Sequence, residues 1–344
     1  MTTVVAVQPR IRLAFPDYGR FDGGAIRANA GDSARRIEAA CAEHGAGMVA
    51  FPEFFLTGYT LGVDLRGWLR ASICIPGPET DVLSGAAQQN SVYVAGAAFE
   101  TLDSFPGRYF NTAFLIAPNG DIVLKYRKHY AMTGKTRPGD VLDKWLRHLD
   151  EDSLFPVVTT PLGRIGAMVA RDSHWPEMAR CLALRGAEII FNPNASGVEP
   201  DDAGIHARRS RAYENHCFLI SPNIGPFVTD NEFDKNSGRA PSEIIDFRGN
   251  MLARRRELAE FMIAADLDIE ALRTFRIAGG GKGNFLAQLQ PHLHTPVYGA
   301  AELFPANGWR EKPIRSVSEN LEFEASVIQR MLRDDVLTPP ESSG

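Results

Sequence analysis

Cysteine is scarce in this chain: there are four in 344 residues, Cys41, Cys74, Cys181 and Cys217, widely separated and with no C-x-x-C pair. That pattern excludes a disulfide scaffold, a zinc ribbon and a dithiol redox motif, and the thiols are expected to be reduced and mostly buried. Long apolar runs are missing as well. Nothing approaches the ~20 residues of a membrane span, and the opening MTTVVAVQPR lacks the charged-then-apolar build of a signal peptide, so cytoplasmic residence is the default expectation. Basic runs stop at Arg254-Arg255-Arg256 and the formal net charge is −5, which points to neither a nucleic-acid nor a membrane partner. His292 and His294 stand one residue apart without a third ligand, so no metal is expected, and no cofactor motif is complete. Gly134-Lys135-Thr136 fails as a phosphate loop because His129 stands where the first glycine belongs. The GGGKG of residues 279–283 has no strand before it and reads as a connector.

What is present is an ample apolar content, 44% of residues, enough for one large α/β domain or two ordinary ones. Residues 4–8 read as a first strand, residues 32–45 as a helix through Ile37, Ala40 and Cys41 with Gly45 as its stop, and residues 48–51 as a buried strand. That strand runs straight into Pro52-Glu53, so Glu53 emerges among Phe51, Phe54 and Phe55. Partial desolvation there raises a carboxyl pKa and suits it to proton transfer; the alternative is a capping or solvated side chain. Residues 83–89 read as helix, 92–99 as strand, and 111–118 with 122–126 as a hairpin about Asn119-Gly120. The second arm ends in Tyr126-Arg127-Lys128-His129-Tyr130, where a lysine taken alone is an exposed edge charge.

The segment from Gly163 to Asn194 has the densest pattern. An apolar run over residues 165–169 reads as a buried strand, Trp175-Pro176-Glu177 opens a helix with Pro176 at its first position, and Met178, Cys181, Leu182 and Leu184 give that helix an apolar side that Gly186 ends. A second buried strand follows over residues 187–191. Ligands of such strand–loop–helix–strand units collect beyond the carboxyl ends of the strands, where Ala170 and Asp172 fall. Downstream, residues 206–213 look helical and lead through Glu214-Asn215 into a strand at 217–221, with further strands at 242–246, 251–253 and 261–267. Strands in buried runs alternating with helices and interrupted by hairpins argue a two-sheet α/β sandwich with helices outside. Residues 318–332 form an amphipathic helix through Leu321, Ala325, Ile328 and Leu332 that should dock on the core or on a neighbouring subunit.

These residues carry a resemblance. Ile165, Gly166, Asp172, Trp175, Pro176, Glu177, Gly186, Ala187 and Glu188 match the nucleophile segment of the nitrilase superfamily, the carbon–nitrogen hydrolases. The F-P-E-x-x-x-x-G-Y run from Phe51 to Tyr59 resembles that family's general-base segment, and Y-R-K at Tyr126-Arg127-Lys128 its lysine segment. Arg211, Ala212, Glu214, Asn215 and Asn223 match its downstream pattern. The resemblance implies a four-layer α-β-β-α sandwich over residues 1–272, with residues 273–344 as a C-terminal extension. It implies Glu53 as base and acid, Lys128 as oxyanion donor, a small-molecule amide or N-carbamoyl substrate, and no cofactor; a homo-oligomer, dimer or higher, is expected. Tyr59, Arg171, Asp172, His174, Trp175, Asn194 and Glu214 are the supporting or substrate-binding candidates. For Glu214 a structural ion pair is the plainer alternative. Arg171 is either paired with an acidic neighbour or open to a substrate carboxylate. The nitrile-hydrolysing branch follows its nucleophile with Trp-Glu, whereas Arg171-Asp172 resembles amidases and carbamoylases.

The resemblance fails at two places. Many relatives carry a second glutamate five to seven residues before a P-G-D such as Pro138-Gly139-Asp140, and residues 131–133 contain none. More consequentially, Ala170 occupies the position of the nucleophilic cysteine. A methyl group attacks nothing, and Cys181 and the other three cysteines belong to other elements. Ser173, three residues on, should point elsewhere and would need its own activating base. Three readings stand open: an engineered Cys→Ala change in a working hydrolase, a natural pseudoenzyme that binds or assembles, and a false alignment.

Overall fold

The computed structural model describes residues 1–16, 19–60, 62–131, 134–196, 203–229, 240–278, 284–301 and 303–340. Residues 132–133, where the second glutamate was sought, and the 279–283 connector lie outside the described residues. The first half contains β1 (Thr2–Gln8), β2 (Ile11–Arg12), α1 (Gly23–His44), β3 (Met48–Ala50), α2 (Leu65–Ala71), α3 (Pro78–Asn90), β4 (Tyr93–Glu100), β5 (Phe110–Ile116), β6 (Ile122–Arg127) and α4 (Leu142–His148). The second contains β7 (Val157–Thr160), β8 (Gly163–Ala167), α5 (Pro176–Leu184), β9 (Ile189–Phe191), α6 (Ala203–Asn215), β10 (Phe218–Ser221), β11 (Phe227–Val228), β12 (Ser242–Ile245), β13 (Met251–Arg255) and β14 (Phe261–Leu267). The helices α7 (Ile269–Ala278), α8 (Pro291–Ala300) and α9 (Val317–Arg333) follow.

Two six-stranded sheets have the orders β14-β1-β3-β4-β5-β6 and β13-β12-β10-β9-β8-β7. Each has a parallel centre, β1-β3-β4 in one and β8-β9-β10 in the other, with antiparallel strands outside it. Alternation along the central strands sorts the layers. Val4, Ala6, Met48, Ala50, Ala95 and Ala97 share a core with Ile165, Ala167, Ile189 and Phe191 of the other sheet. Their neighbours Val5, Val7, Val49, Val94 and Ala98 face Ile26, Ala30 and Ile37 of α1 and Leu83 and Ala87 of α3. A strand buried on both faces needs apolar residues at every position, which is why these segments read as unbroken runs. Met178 and Leu182 of α5 and Ala212 of α6 cover the second sheet, completing an α-β-β-α sandwich.

The departures from the sequence reading are local. Helix α1 begins at Gly23, nine residues earlier than the apolar spacing indicated, because Asp22 caps it by accepting from the N–H groups of Gly24 and Ala25. Strand β8 ends at Ala167 rather than Val169, since the chain turns there. Cys74, expected to be buried, is exposed between α2 and α3, Cys41 and Cys181 are half-buried, and only Cys217 is buried; all four thiols are free. The Asn119-Gly120 hairpin forms as read, with Ile116 opposite Ile122 and Gly120 at φ 87°.

The extension packs on the 134–148 region. Arg108 donates to the carbonyls of Trp309 (2.6 Å) and Arg310 (2.8 Å), Trp309 N donates to Asp140 O (3.2 Å), and Asn307 N donates to Gly139 O (2.8 Å). Its own Trp309, Ile314, Asn320 and Val327 are buried in this packing, whereas Leu321, Ala325 and Ile328, the side of α9 expected to dock, are exposed on the chain by itself. No helix among the described residues is long and apolar enough to cross a membrane.

Candidate active site

Three chain segments meet where β3, β6 and β8 end. After β8 the chain enters a 3₁₀ turn, Ala170–His174, and Ala170 itself takes φ 46°, left-handed space that an L-residue enters at a cost of order 1 kcal/mol. The turn is held from below. Ala170 N donates to Pro193 O (2.8 Å), and the Asn192 amide donates to Met168 O (3.0 Å) and Ala170 O (3.3 Å).

Asp172 locks the same turn. Its buried carboxylate accepts from Val169 N (2.9 Å), Tyr130 N (2.9 Å) and the Tyr126 hydroxyl (2.7 Å). Burial pushes its pKa up to about 6, against the pull of the Lys128 ammonium and those three donors. Arg211 donates to the carbonyls of Ser173 (2.9 Å) and His174 (3.3 Å) and is paired with Glu214 at 2.7 Å. Glu214 therefore acts on the turn through Arg211, as the ion-pair reading had it. Asn194 is buried one step further out, donating to Asn192 and Ser221.

Asp172→Asn is expected to destabilise the fold by about 1–3 kcal/mol at neutral pH, because an amide accepts on one side only and leaves a backbone N–H unpaired. The folded carboxyl is held above its unfolded value. Its stabilising proton is therefore fully in place below pH ~4 and lost as pH rises through about 6. The gap between parent and variant should narrow by about 2–3 kcal/mol over that window in urea titrations.

Glu53 follows β3 in a tight turn in which Phe54 also has positive φ, 62°. Both Glu53 and Lys128 are buried, so neither is the solvated charge that its local sequence allowed. Lys128 Nζ donates to Glu53 Oε1 at 2.7 Å, and the Asn111 amide donates to the same oxygen. Lys128 N in turn donates to Asn111 O (2.9 Å). Tyr126 and Tyr130, two residues either side of Lys128, both bond Asp172, so one carboxylate ties the lysine strand end to the Ala170 turn. Asn111, Tyr126 and Asn192 carry this frame; the sequence reading passed over each as a member of a run and gave none of them a role. Their signal was only a polar side chain within or just after an otherwise apolar strand.

Beside this cluster lies a cavity of about 460 Å³ whose walls include Tyr130, Arg137, Arg171, Trp175, Phe304 and Glu324. Glu53, Lys128 and Ala170 do not line it; it adjoins them through Tyr130 and Arg171. Trp175 stacks on Tyr130 with ring centroids 3.9 Å apart, and the exposed Arg171 guanidinium lies 5.9 Å over Trp175. Among the described residues no carboxylate pairs with Arg171. Tyr59 stacks on Phe54 (5.1 Å) and Trp68 (5.4 Å), and His174 sits half-buried with its ring 6.5 Å from Trp175. Ser173 is buried in the turn. Among the described residues no three His, Cys, Asp or Glu side chains group as metal ligands.

The α-β-β-α sandwich is the fold that the resemblance to the carbon–nitrogen hydrolases implied. The chain belongs to that family: the carbon-nitrogen hydrolase profile matches residues 24–277. It is 27% identical over 269 residues to "Nitrilase 3" of Arabidopsis thaliana, covering 69% of this chain and 73% of that protein. It is 28% identical over 188 residues to "Formamidase" of Bacillus cereus, covering 53% of this chain and 52% of the relative, so it spans about half the length of that protein. Among solved structures it is similar to a carbon-nitrogen hydrolase of Helicobacter pylori (TM-score 0.67, 21% identity, 86% of this chain and 98% of that one). It is similar also to yeast Nit3, described as a member of branch 10 of the nitrilase superfamily (TM-score 0.62, 22% identity, 81% and 94%), and to an amidase from Nesterenkonia (TM-score 0.59, 18% identity, 86% and 96%).

Proposed function

We propose that this chain is a hydrolase scaffold for the carbon–nitrogen bond of a small amide or N-carbamoyl compound, inactive as it stands because Ala170 holds the place of the nucleophile. The observation that carries this reading is the Ala170 turn. An alanine held at φ 46° by Asp172, Asn192 and Arg211, with a buried Glu53–Lys128 pair built from the ends of two strands of one sheet, is a frame for presenting one side chain to one acid–base pair. The Nesterenkonia amidase is described with acrylamide added at an active site cysteine.

In the reaction, a thiolate at position 170 attacks the amide carbon and the carbonyl π-electrons move to oxygen. Lys128 donates a hydrogen bond to that oxyanion, and Glu53, having taken the thiol proton, delivers it to the departing amine. Water then attacks the thioester with Glu53 as base. The C–S bond breaks, giving the acid and the restored thiol. With a methyl group at 170 the first bond cannot form, and substrate stays intact. A second reading, a natural binding protein of the same fold, draws on a further departure from the pattern. The loop after Lys128 carries a buried Lys135, and no glutamate occupies residues 131–133.

Arg171 directs the substrate reading toward amides with an anionic end. It is a guanidinium on the wall of the cavity, adjacent in sequence to position 170 and without a carboxylate partner among the described residues, geometry that suits a two-point contact with a carboxylate. Titration calorimetry on the chain itself tests this. A primary amide with a terminal carboxylate should bind at least about tenfold more tightly than its uncharged analogue, the range of one charge-assisted contact, and Arg171→Met should erase the difference while sparing the neutral amide. Equal affinities in the parent chain remove Arg171 from recognition. Failure of every amide to bind removes the function itself.

A further inference from the structure

The titratable side chains on the cavity wall are His129, Tyr130, Arg137, Asp140, Arg171 and Glu324. Two of them neutralise each other: the Asp140 carboxylate accepts from the Arg137 backbone N–H (2.8 Å) and from its guanidinium Nε (3.0 Å). Burial lowers the His129 pKa to about 4 and pushes the Tyr130 phenol up to about 12, so both rings are uncharged at neutral pH. Arg171 and Glu324 are left over. Among the described residues neither has an ion-pair partner, and they do not pair with each other across the space they share. Beyond the wall, Lys128 is bonded to Glu53, and Asp172 is turned to the Tyr126 hydroxyl and the Val169 and Tyr130 N–H groups, so neither supplies the missing partner.

Each of the two is held on its own side. Arg171 lies over Trp175, which is itself stacked on Tyr130. Glu324 stands on α9, where the fully buried Asn320, one helical turn earlier, donates to its Oε1 at 2.7 Å. Only one carboxylate oxygen is used in that bond. The helix is seated in turn: Phe323 packs on Phe304 (4.6 Å) and Trp309 (5.5 Å), the Arg137 guanidinium lies 4.4 Å over the Phe304 ring, and Trp309 N donates to Asp140 O (3.2 Å). Glu324 is thus a fixed part of the wall. A half-buried carboxylate with an oxygen to spare is stabilised by a cation that a ligand brings to it.

We propose that Glu324 makes this cavity selective for a zwitterionic head group, its ammonium taken by Glu324 and its carboxylate by Arg171, so that the preferred ligand is a primary amide at the far end of an α-amino acid. The inference rests on reading the site as an amide site with Arg171 as the contact for a carboxylate. It adds the cation, and with it a specificity residue from the extension, outside the family profile that ends at residue 277. Tyr130, Trp175 and Phe304 offer apolar surface to the methylenes between the two ends. A ligand carrying both charges leaves neither Arg171 nor Glu324 unpaired, whereas a purely anionic one meets a carboxylate on the same wall.

The experiment is titration calorimetry on the full chain at pH 7 with primary amides that share one carbon skeleton. L-glutamine carries both groups, glutaramate only the carboxylate, 4-aminobutanamide only the ammonium, and butanamide neither. L-glutamine should bind at least about tenfold more tightly than glutaramate, the range of one charge-assisted contact. Glu324→Gln, which keeps an acceptor for Asn320, should erase that preference and leave the advantage of glutaramate over butanamide in place. Arg171→Met should do the converse, removing the glutaramate advantage while 4-aminobutanamide still outbinds butanamide. Should a variant misfold, the comparison of L-glutamine with glutaramate on the unaltered chain decides alone. Equal affinity for those two, a preference that survives Glu324→Gln, or a uniform weakening of every probe by that change overturns the inference; glutaramate outbinding butanamide would then leave the amide site and Arg171 standing. Binding of none of the probes overturns both.

Discussion

Ala170→Cys is expected to turn an inert chain into an amide hydrolase, raising turnover of a primary amide by at least about 10³-fold, the scale set when a nucleophile acting with its base is removed or restored. The reason lies in the backbone. Position 170 already has the left-handed φ, the hydrogen bond from its N–H to Pro193 and the carboxylate brace of Asp172, so the substitution adds one sulfur atom to a formed turn. A cysteine costs no more than alanine at this φ. Two measurements check the result: release of acid and ammonia, and the mass of a stalled acyl adduct on residue 170. Turnover by the parent chain at a comparable rate would sink the role given to this position. A folded Ala170→Cys protein that neither turns over nor labels across a panel of amides would favour the natural binding protein.

The fold was legible where burial is two-sided. Val4 to Gln8, Met48 to Phe51 and Val92 to Phe99 read as strands because parallel strands at the centre of a sandwich need apolar residues on both faces. Edge elements were hidden for the converse reason. Strand β7, Val157–Thr160, is half-buried and short, α8 is exposed along its whole length, and the first turns of α1 hold a single large apolar residue, Ile26, among glycines, alanines, Arg27 and Asn29. At the candidate site, the positions of Glu53, Lys128 and Ala170 at or just after strand ends could be read because each stands in a contiguous motif. The surroundings of Lys135 and the contact made by Asn111 could not. They come from three dimensions: an ammonium meets Phe54 and Tyr59 across more than 70 residues of chain, and an amide on β5 reaches a carboxylate after β3. The resemblance was also blind to the wall of the cavity supplied by Phe304 and Glu324, since the family profile ends at residue 277.

In the Ala170→Cys background, Lys128→Met should lower kcat by about 10²–10³-fold with a small change in KM, because the ammonium is aimed at charge that exists only in the tetrahedral intermediate. Glu53→Gln should lower it by about 10²–10⁴-fold, since an amide neither takes the thiol proton nor returns it to the leaving amine. The two losses are not expected to add. Lys128 and Glu53 are bonded at 2.7 Å, so each single change removes part of what the other does, and the double variant should fall well short of the product of the singles. Lys128→Met also strands a buried carboxylate, a change that destabilises by about 3–5 kcal/mol, whereas Glu53→Gln keeps an acceptor for Lys128. Thermal unfolding therefore accompanies the kinetics, and Lys128→Arg, which keeps the charge but moves the donors, separates charge from geometry. Its kcat should stay nearer to Lys128→Met than to the parent, because a planar fork cannot place one hydrogen bond on both Glu53 and an oxyanion where a tetrahedral ammonium does. Single variants that each retain more than a tenth of the restored activity while folding normally would mean that Glu53 and Lys128 form a structural ion pair and that the proton and the oxyanion are handled elsewhere.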